Sequence, residues 1–392
     1  MTDTPLGDYA RRSLELHRKL RGKLSINSTI ELKTADDLAL AYTPGVGHVS
    51  SEVARDPELS YELTGRGHTV AVVSDGSAVL GLGNIGPLGA MPVMEGKCLL
   101  FKELGGIDAV PLVLDTQDID ELEMIVRNLA PSFGGINLED IAAPGCFELE
   151  ERLQDIGIPV FHDDQHGTAI VVLAALTNSL RVVGKPIEDV KIVFSGAGAA
   201  GIACAKMVMK AGASNLIMVD SQGAIYDGRP DLNHAKRDIA QVTNREGISG
   251  NVHDAIEGAD VFIGLSGPGL LDRNDIRRMG PDAIVLAMAN PTPEIMPDEA
   301  RAGGAAVIGT GRSDFPNQVN NVLAFPGVFK GALEARAPRI TAEMSIAAGR
   351  SLAELVDAPH ANEILPSALD RSVAGHVAEA VARTWRETHG RT

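Results

Sequence analysis

The chain has 392 residues, too many for one ordinary core, so two domains of usual size are expected. Its 44% hydrophobic and 22% charged residues place it among globular proteins, and a formal net charge of −17 argues against a nucleic-acid or anionic-membrane surface, because either would need clustered Lys and Arg. Cys98, Cys146 and Cys204 are odd in number and have no CxxC spacing, which indicates neither a disulfide framework nor a thiolate metal site.

Reduced cytosol suits such thiols. The N-terminus lacks the apolar core of a signal peptide, and the longest apolar run, residues 169–176, is too short to span a bilayer. The expectation is a soluble cytoplasmic protein with neither a membrane nor a nucleic-acid partner.

In chain order, residues 14–24 read as part of a basic amphipathic helix and residues 27–37 as a polar connection. AYTPGVGHVS, residues 41–50, contains Pro44, Gly45 and Gly47, which break both helix and strand patterns, so a loop presenting Tyr42 is expected. Residues 69–74 form a buried-strand pattern that stops at the turn dipeptide Asp75-Gly76, with a second short strand at residues 78–82. The glycine-dense GLGNIGPLG, residues 81–89, reads as irregular backbone, and residues 92–104 as a helix carrying Lys97 in a mostly apolar setting.

An apolar strand at 107–114 precedes a helix at 118–129 with acids in its first turn. Next come a strand at 136–141 with Glu139 and Asp140 in it or at its end, and a helix at 147–154. PVFHDDQHGT, residues 159–168, is a short strand that ends in the adjacent acids Asp163 and Asp164. Strand followed by helix, repeated, means a parallel sheet.

A long helix at 168–183 leads to a second domain. There the strand 191–195 is followed at once by Gly196, Ala197, Gly198, Ala199, Ala200 and Gly201, then by a helix through Ala211, and the strand 215–219 ends in Asp220. Further strands are expected at 259–265, 283–289 and 305–309, and the tail from Ala332 is mainly helical, broken at Pro338 and Pro366. The fold class is therefore α/β: an N-terminal α/β substrate and metal domain over residues 1–160, and a Rossmann-type doubly wound parallel-sheet domain with C-terminal helices over 161–392.

The GxGxxG pattern at 196–201 lies between a strand and a helix, and an acid ends the next strand 24 positions after Gly196. That context reads as a dinucleotide site: a tight turn at Gly196, room for a pyrophosphate at Gly198, close packing at Gly201. Asp220 would accept from the adenosine ribose and repel a 2′-phosphate, and Ser221, Gln222 and Gly223 bring no positive charge, Arg229 being the next candidate. NAD is thus favoured, with NADP as the alternative.

Glu139, Asp140 and Asp164 are hard oxygen ligands on two strand ends, suited to Mg²⁺ or Mn²⁺, while His162 and His166 read as structural. Lys97 would serve as a base near neutrality only with a depressed pKa, which burial near a cation would supply. Tyr42 can donate a proton, and the amides of Asn290, Asn320 and Asn321 can bind a substrate carboxylate or a cofactor amide.

Together YTPGV, SDG with LGLGNIGPLG, MEGKCLLFKELGGIDAVPL, NLEDI, PVFHDDQHGTA, VFSGAGAAG, ANPTPEI and NNVLAFPGV, in that order, resemble a malic enzyme of the short bacterial type. The resemblance implies oxidative decarboxylation of L-malate to pyruvate and CO₂ with a nicotinamide cofactor and a divalent metal. It makes Glu139, Asp140 and Asp164 the metal ligands, Lys97 the general base with Asp163 as its partner, and Tyr42 the general acid. Asn290 and Asn320 or Asn321 match positions that touch substrate or nicotinamide, and a homodimer or higher homo-oligomer is implied. One departure is Ser77-Ala78 after the Asp75-Gly76 turn, where larger members carry an arginine that grips a substrate carboxylate. The alternatives are a non-catalytic nucleotide-sensing subunit and a malate or oxaloacetate decarboxylase that releases no NAD(P)H.

Overall fold

The computed structural model describes residues 5–79 and 81–390. Two sheets organise them. The first has four parallel strands in the order β2-β1-β3-β4, with β1 at Thr69–Ser74, β2 at Asp108–Val113, β3 at Gly135–Leu138 and β4 at Val160–His162. Val70, Val72 and Val73 of β1 are fully buried, which is why this stretch reads as a continuous apolar run and not as an alternating one. The register pairs Leu138 with His162, so β3 and β4 end level and the acids that follow each strand emerge side by side.

The second sheet has the order β10-β9-β8-β5-β6-β7, from β5 (Lys191–Ser195), β6 (Asn215–Asp220), β7 (Gly223–Ala224), β8 (Val261–Gly264), β9 (Ile284–Ala287) and β10 (Val307–Thr310). All pairings are parallel except β6 with β7. Strand order reverses between β5 and β8, which opens a crevice at their carboxyl ends, the usual ligand position in such sheets. The sequence expectation of a doubly wound α/β fold with C-terminal helices agrees with this architecture.

The helix Thr168–Val183 joins the sheets, and every residue from Ala169 to Leu176 is buried. The stretch Asp163–Val183 is long and apolar enough to cross a membrane, yet its apolar surface is packed inside this fold. Around its start Phe101, Phe161, Phe325 and Phe329 pack edge to face, Phe101 and Phe325 with centroids 4.7 Å apart. One apolar cluster runs from Val70 and Phe101 through this helix to Val377 and Trp385 of the last helix, Val373–His389.

Three local expectations are corrected. The loop expected over residues 41–50 is confined to residues 42–44, because a helix starts at Gly45 and continues to Arg55. The polar connection expected over residues 27–37 ends early, because Ala35–Ala41 is helical, started by a capping box between Thr34 and Asp37, an acid standing where a Glu or Gln is the usual signal. At residues 78–82 there is no strand among the described residues, only an isolated bridge between Val79 and Gly83, with Leu80 outside the described set.

The helix Phe325–Glu334 packs against Val373–His389 through Gly331, where an added Cβ would lie 2.4 Å from the Ala378 carbonyl and 2.8 Å from Val381 Cβ. Gly375, on the second of these helices, has nothing within 4 Å. Gly331→Ala is expected to destabilise by about 1–3 kcal/mol through overpacking, whereas Gly375→Ala is expected to stabilise by up to about 1 kcal/mol through helix propensity. Thermal unfolding of both variants checks this; shifts of the same sign would contradict it.

Candidate active site

The level ends of β3 and β4 bring Glu139, Asp140 and Asp164 together, with ligand oxygens all within 4.8 Å of one another. In extended backbone, neighbouring side chains point to opposite faces. Asp140 escapes this with φ 55°, a left-handed residue that bends the chain so that both acids serve one site. Its backbone N–H donates to Asp164 Oδ2 at 2.9 Å, which ties the two strand ends together.

Lys97 approaches from the helix Gly86–Leu100 and is 8% exposed. Its Nζ lies 2.6 Å from Asp163 Oδ2, 2.8 Å from Glu139 Oε1 and 4.4 Å from the centre of the Phe325 ring. Burial alone would push the ammonium pKa down, but Asp163, Glu139 and Asp164 outweigh it and hold it above the ordinary lysine range. The expected depression is therefore corrected: acids, not a cation, surround Lys97 here. Burial in turn pushes Glu139 and Asp163 up to about 7, and Asp164 up as well, despite the lysine. One ammonium is too little positive charge for four carboxylates. A hard, all-oxygen donor set short of positive charge is what a divalent cation such as Mg²⁺ or Mn²⁺ fits.

Asp163 also accepts from Asn321 Nδ2, so Asn321 is the asparagine of the 320–321 pair that reaches the carboxylate holding the lysine. Asn320 instead spends its Oδ1 on the backbone N–H of Val322. Gly167 makes room for this arrangement: an added Cβ there would lie 1.8 Å from Asp163 Oδ1. On the other side of the turn, His166 Nε2 is 2.9 Å from Glu150, while His162 is fully buried and its pKa is lowered to about 4 by burial. His166 stays outside the carboxylate cluster, and His162 Nδ1 stands 3.7 Å from Asp164 Oδ2 without a hydrogen bond to it.

Ser77 and Ala78, which stand where an arginine was sought, brace the acidic loop. Ser77 Oγ accepts from the Ala142 N–H at 2.8 Å, and the Ala78 N–H donates to the Asp140 carbonyl at 2.9 Å. Tyr42 is not brought in; its ring is 64% exposed at the end of the helix Ala35–Ala41, with no side-chain hydrogen bond among the described residues.

At the dinucleotide loop, an added Cβ at Gly201 would sit 1.9 Å from the Gly196 carbonyl, while at Gly198 nothing lies within 4 Å. The helix Ala199–Lys210 starts there and aims its N-terminus at this open space, which suits a pyrophosphate. Asp220, at the end of β6, is not alone. Arg229 holds it at 2.9 Å and 2.6 Å, and Lys236 Nζ at 2.6 Å. Burial raises its pKa, but these cations and the Gln222 N–H bring it down to about 2. The turn at β7 and the helix His234–Ala240 return both cations to the acid, a closure that no local spacing announced.

Sequence reasoning passed over Glu294. Fully buried, it accepts from the Ser266 N–H at 2.8 Å and the Ala289 N–H at 3.0 Å, fastening the loops after β8 and β9. Asn290 follows directly, its Nδ2 3.4 Å from the Met288 carbonyl. A lone glutamate in ANPTPE offered only its place beside Asn290 as a signal.

The profile "Malic enzyme, N-terminal domain" matches residues 21–154, and "Malic enzyme, NAD binding domain" matches residues 165–385. A bifunctional malic/malolactic enzyme of Bacillus subtilis is 52% identical over 380 residues, covering 96% of this chain and 93% of that protein. An NADP-dependent malic enzyme of Halomonas elongata is 52% identical over 358 residues, covering 90% and 84%. The crystal structure of an NAD-dependent malic enzyme from Thermotoga maritima superposes with a TM-score of 0.92 at 48% identity, covering 94% of this chain and 98% of that one. With profiles over both halves and relatives matched over nearly their full length, the chain belongs to the malic enzyme family, oxidoreductases that decarboxylate malate oxidatively with NAD or NADP.

Proposed function

We propose that the site at the ends of β3 and β4 carries out oxidative decarboxylation of L-malate to pyruvate and CO₂, with Lys97 as general base and Glu139, Asp140 and Asp164 as the ligands of Mg²⁺ or Mn²⁺. The observation that carries this reading is the buried Lys97 ammonium, 2.6 Å from Asp163 and 2.8 Å from Glu139, beside a convergent triad of acids. Division near residue 160 then gives a substrate and metal domain ahead of a nucleotide domain that contributes Asp163 and Asp164 at its start.

The residues act as follows. The C2 hydroxyl of malate gives its proton to Lys97, which Asp163 and Asn321 hold in position. Lys97 can take that proton only when neutral, so the acids that hold it charged must be offset by the cation they bind. When bound, NAD or NADP would supply the hydride acceptor for malate C2, and a divalent cation held by Glu139, Asp140 and Asp164 would supply Lewis acidity that eases loss of CO₂. Tyr42 supplies the proton to C3, and Asn290 and Asn320 orient substrate and nicotinamide. Lys97 and the complete acid set serve no purpose in a sensing subunit, which argues against that alternative.

The exposed ring of Tyr42 is reconciled with this role by a homodimer, in which one copy's N-terminal segment completes the other's site. An exposed apolar series on that segment, including Leu24, Ile26, Ile30, Leu32, Leu38 and Leu40, supports the pairing. The cytoplasm is the proposed compartment, in keeping with three buried free thiols.

Cofactor use follows from Asp220. Its carboxylate can serve a ribose hydroxyl, and Arg229 and Lys236 can turn to a 2′-phosphate, so both NAD and NADP are proposed as cofactors.

Two predictions follow from these roles. Lys97→Ala and Tyr42→Phe should each fold and lose NAD(P)H formation from malate by about 100-fold or more, and mixed dimers of the two inactive variants should recover activity. Near-normal turnover by either single variant removes its role, and the absence of recovery puts Tyr42 in its own chain's site. Lys236→Ala should lower kcat/KM with NADP by about tenfold while sparing NAD; equal losses with both would detach Lys236 from cofactor choice.

A further inference from the structure

Behind the metal-side turn lies a cavity of about 420 Å³, bounded by the helices Gly145–Arg152, Ala199–Lys210 and Ala342–Glu354. Phe147, Phe161, Ile202 and Met207 supply an apolar wall. At the mouth stand Lys206 and Lys210, one helical turn apart and exposed, neither in an ion pair among the described residues. Glu150, which also lines the space, is already engaged by His166 Nε2 and by the His162 N–H, and Glu151 faces solvent. Gln165 lines the cavity as well; it is 3% exposed, and its Nε2 has no hydrogen-bond partner. Lys210 feels the Glu343 carboxylate without a close ion pair, and Lys206 has none among the described residues. A largely apolar chamber with two ammonium groups outside close ion pairs and a buried unpartnered amide is matched by an anion with an apolar body, and its volume falls in the range of small-molecule pockets.

The five-residue turn Asp163–Gly167 gives this cavity its bearing on the chemistry. Asp163 and Asp164 face the lysine and the carboxylate cluster, while Gln165 and His166 line the cavity. Whatever seats against the second pair moves or stiffens backbone shared with the first. We propose that the cavity binds a small amphiphilic organic carboxylate, its head on Lys206 and Lys210 and its body against Phe147, Phe161, Ile202 and Met207, and that occupancy regulates the malate site. The regulatory half rests on the proposed function above; the binding half does not.

The test is calorimetric titration of the full-length protein, with Mn²⁺ and NAD present, using 3-phenylpropionate at constant ionic strength. Acetate tests the charge alone and 3-phenylpropanol the body alone. Saturable binding of 3-phenylpropionate is expected, about tenfold or more tighter than either control, and it should be lost in Lys206→Ala/Lys210→Ala and in the cavity-filling Ala203→Phe. At saturation kcat/KM for malate should change in the wild type and stay constant in both variants, whose basal turnover should match it. Absence of saturable binding, binding unaltered in the variants, or binding competitive with malate would overturn the proposal. Binding lost in the variants but without effect on malate kinetics overturns its regulatory half. Because heat is read without malate, binding in a protein that turns nothing over would count against the proposed function and not against the cavity site.

Discussion

A lysine ammonium with 8% exposure, caught between Asp163 and Glu139, is the constraint that shapes the rest of the molecule. Burying an ion costs several kcal/mol unless partners repay it. Here the partners overshoot, because Asp140 and Asp164 add two more carboxylates to the pair that touches Lys97. The outcome is a site short of positive charge, which a divalent cation would balance, and its own residues show the strain: burial pulls Glu139 and Asp163 up to about 7 while the acids drive Lys97 up.

Ordinary folding rules hold this arrangement in place. Register brings β3 and β4 out level, a left-handed Asp140 turns two neighbouring acids the same way, and the bare Gly167 admits the Asp163 carboxylate. The turn that carries Asp163 and Asp164 runs directly into the buried helix Thr168–Val183, so the acids are joined to the nucleotide sheet by one continuous helical segment. A shift of the apolar packing around Phe161 and Phe325 would therefore be felt at Lys97, which lies over the Phe325 ring.

What the sequence revealed is what local pattern encodes. The parallel strands, the helix Thr168–Val183 and the glycine loop were all legible because buried runs and turn residues are local signals. The acids could be grouped because each ends a strand. Non-local closures stayed hidden. Arg229 and Lys236 return to Asp220 only through the β7 turn and the helix after it, and Glu294 joins two loops whose sequences show no mutual reference. The expected depression of the Lys97 pKa failed for a related reason. Burial could be read from MEGKCLL, but the number of acids converging on one ammonium is a property of the assembled sheet. Tyr42 marks the remaining gap, since its place in a broken loop was legible but its exposure, away from the acids between two helices, was not.

A divalent cation would meet the charge deficit at Glu139, Asp140 and Asp164. The most direct test of this is Mn²⁺ titration followed by electron paramagnetic resonance, on the wild type and on Glu139→Gln, Asp140→Asn and Asp164→Asn, with the exposed Glu379→Gln as a control far from the triad in sequence. One tight site is expected, weakened by about 100-fold or more in each triad variant and kept in the control. Equal affinity across the triad variants and the wild type would contradict the account.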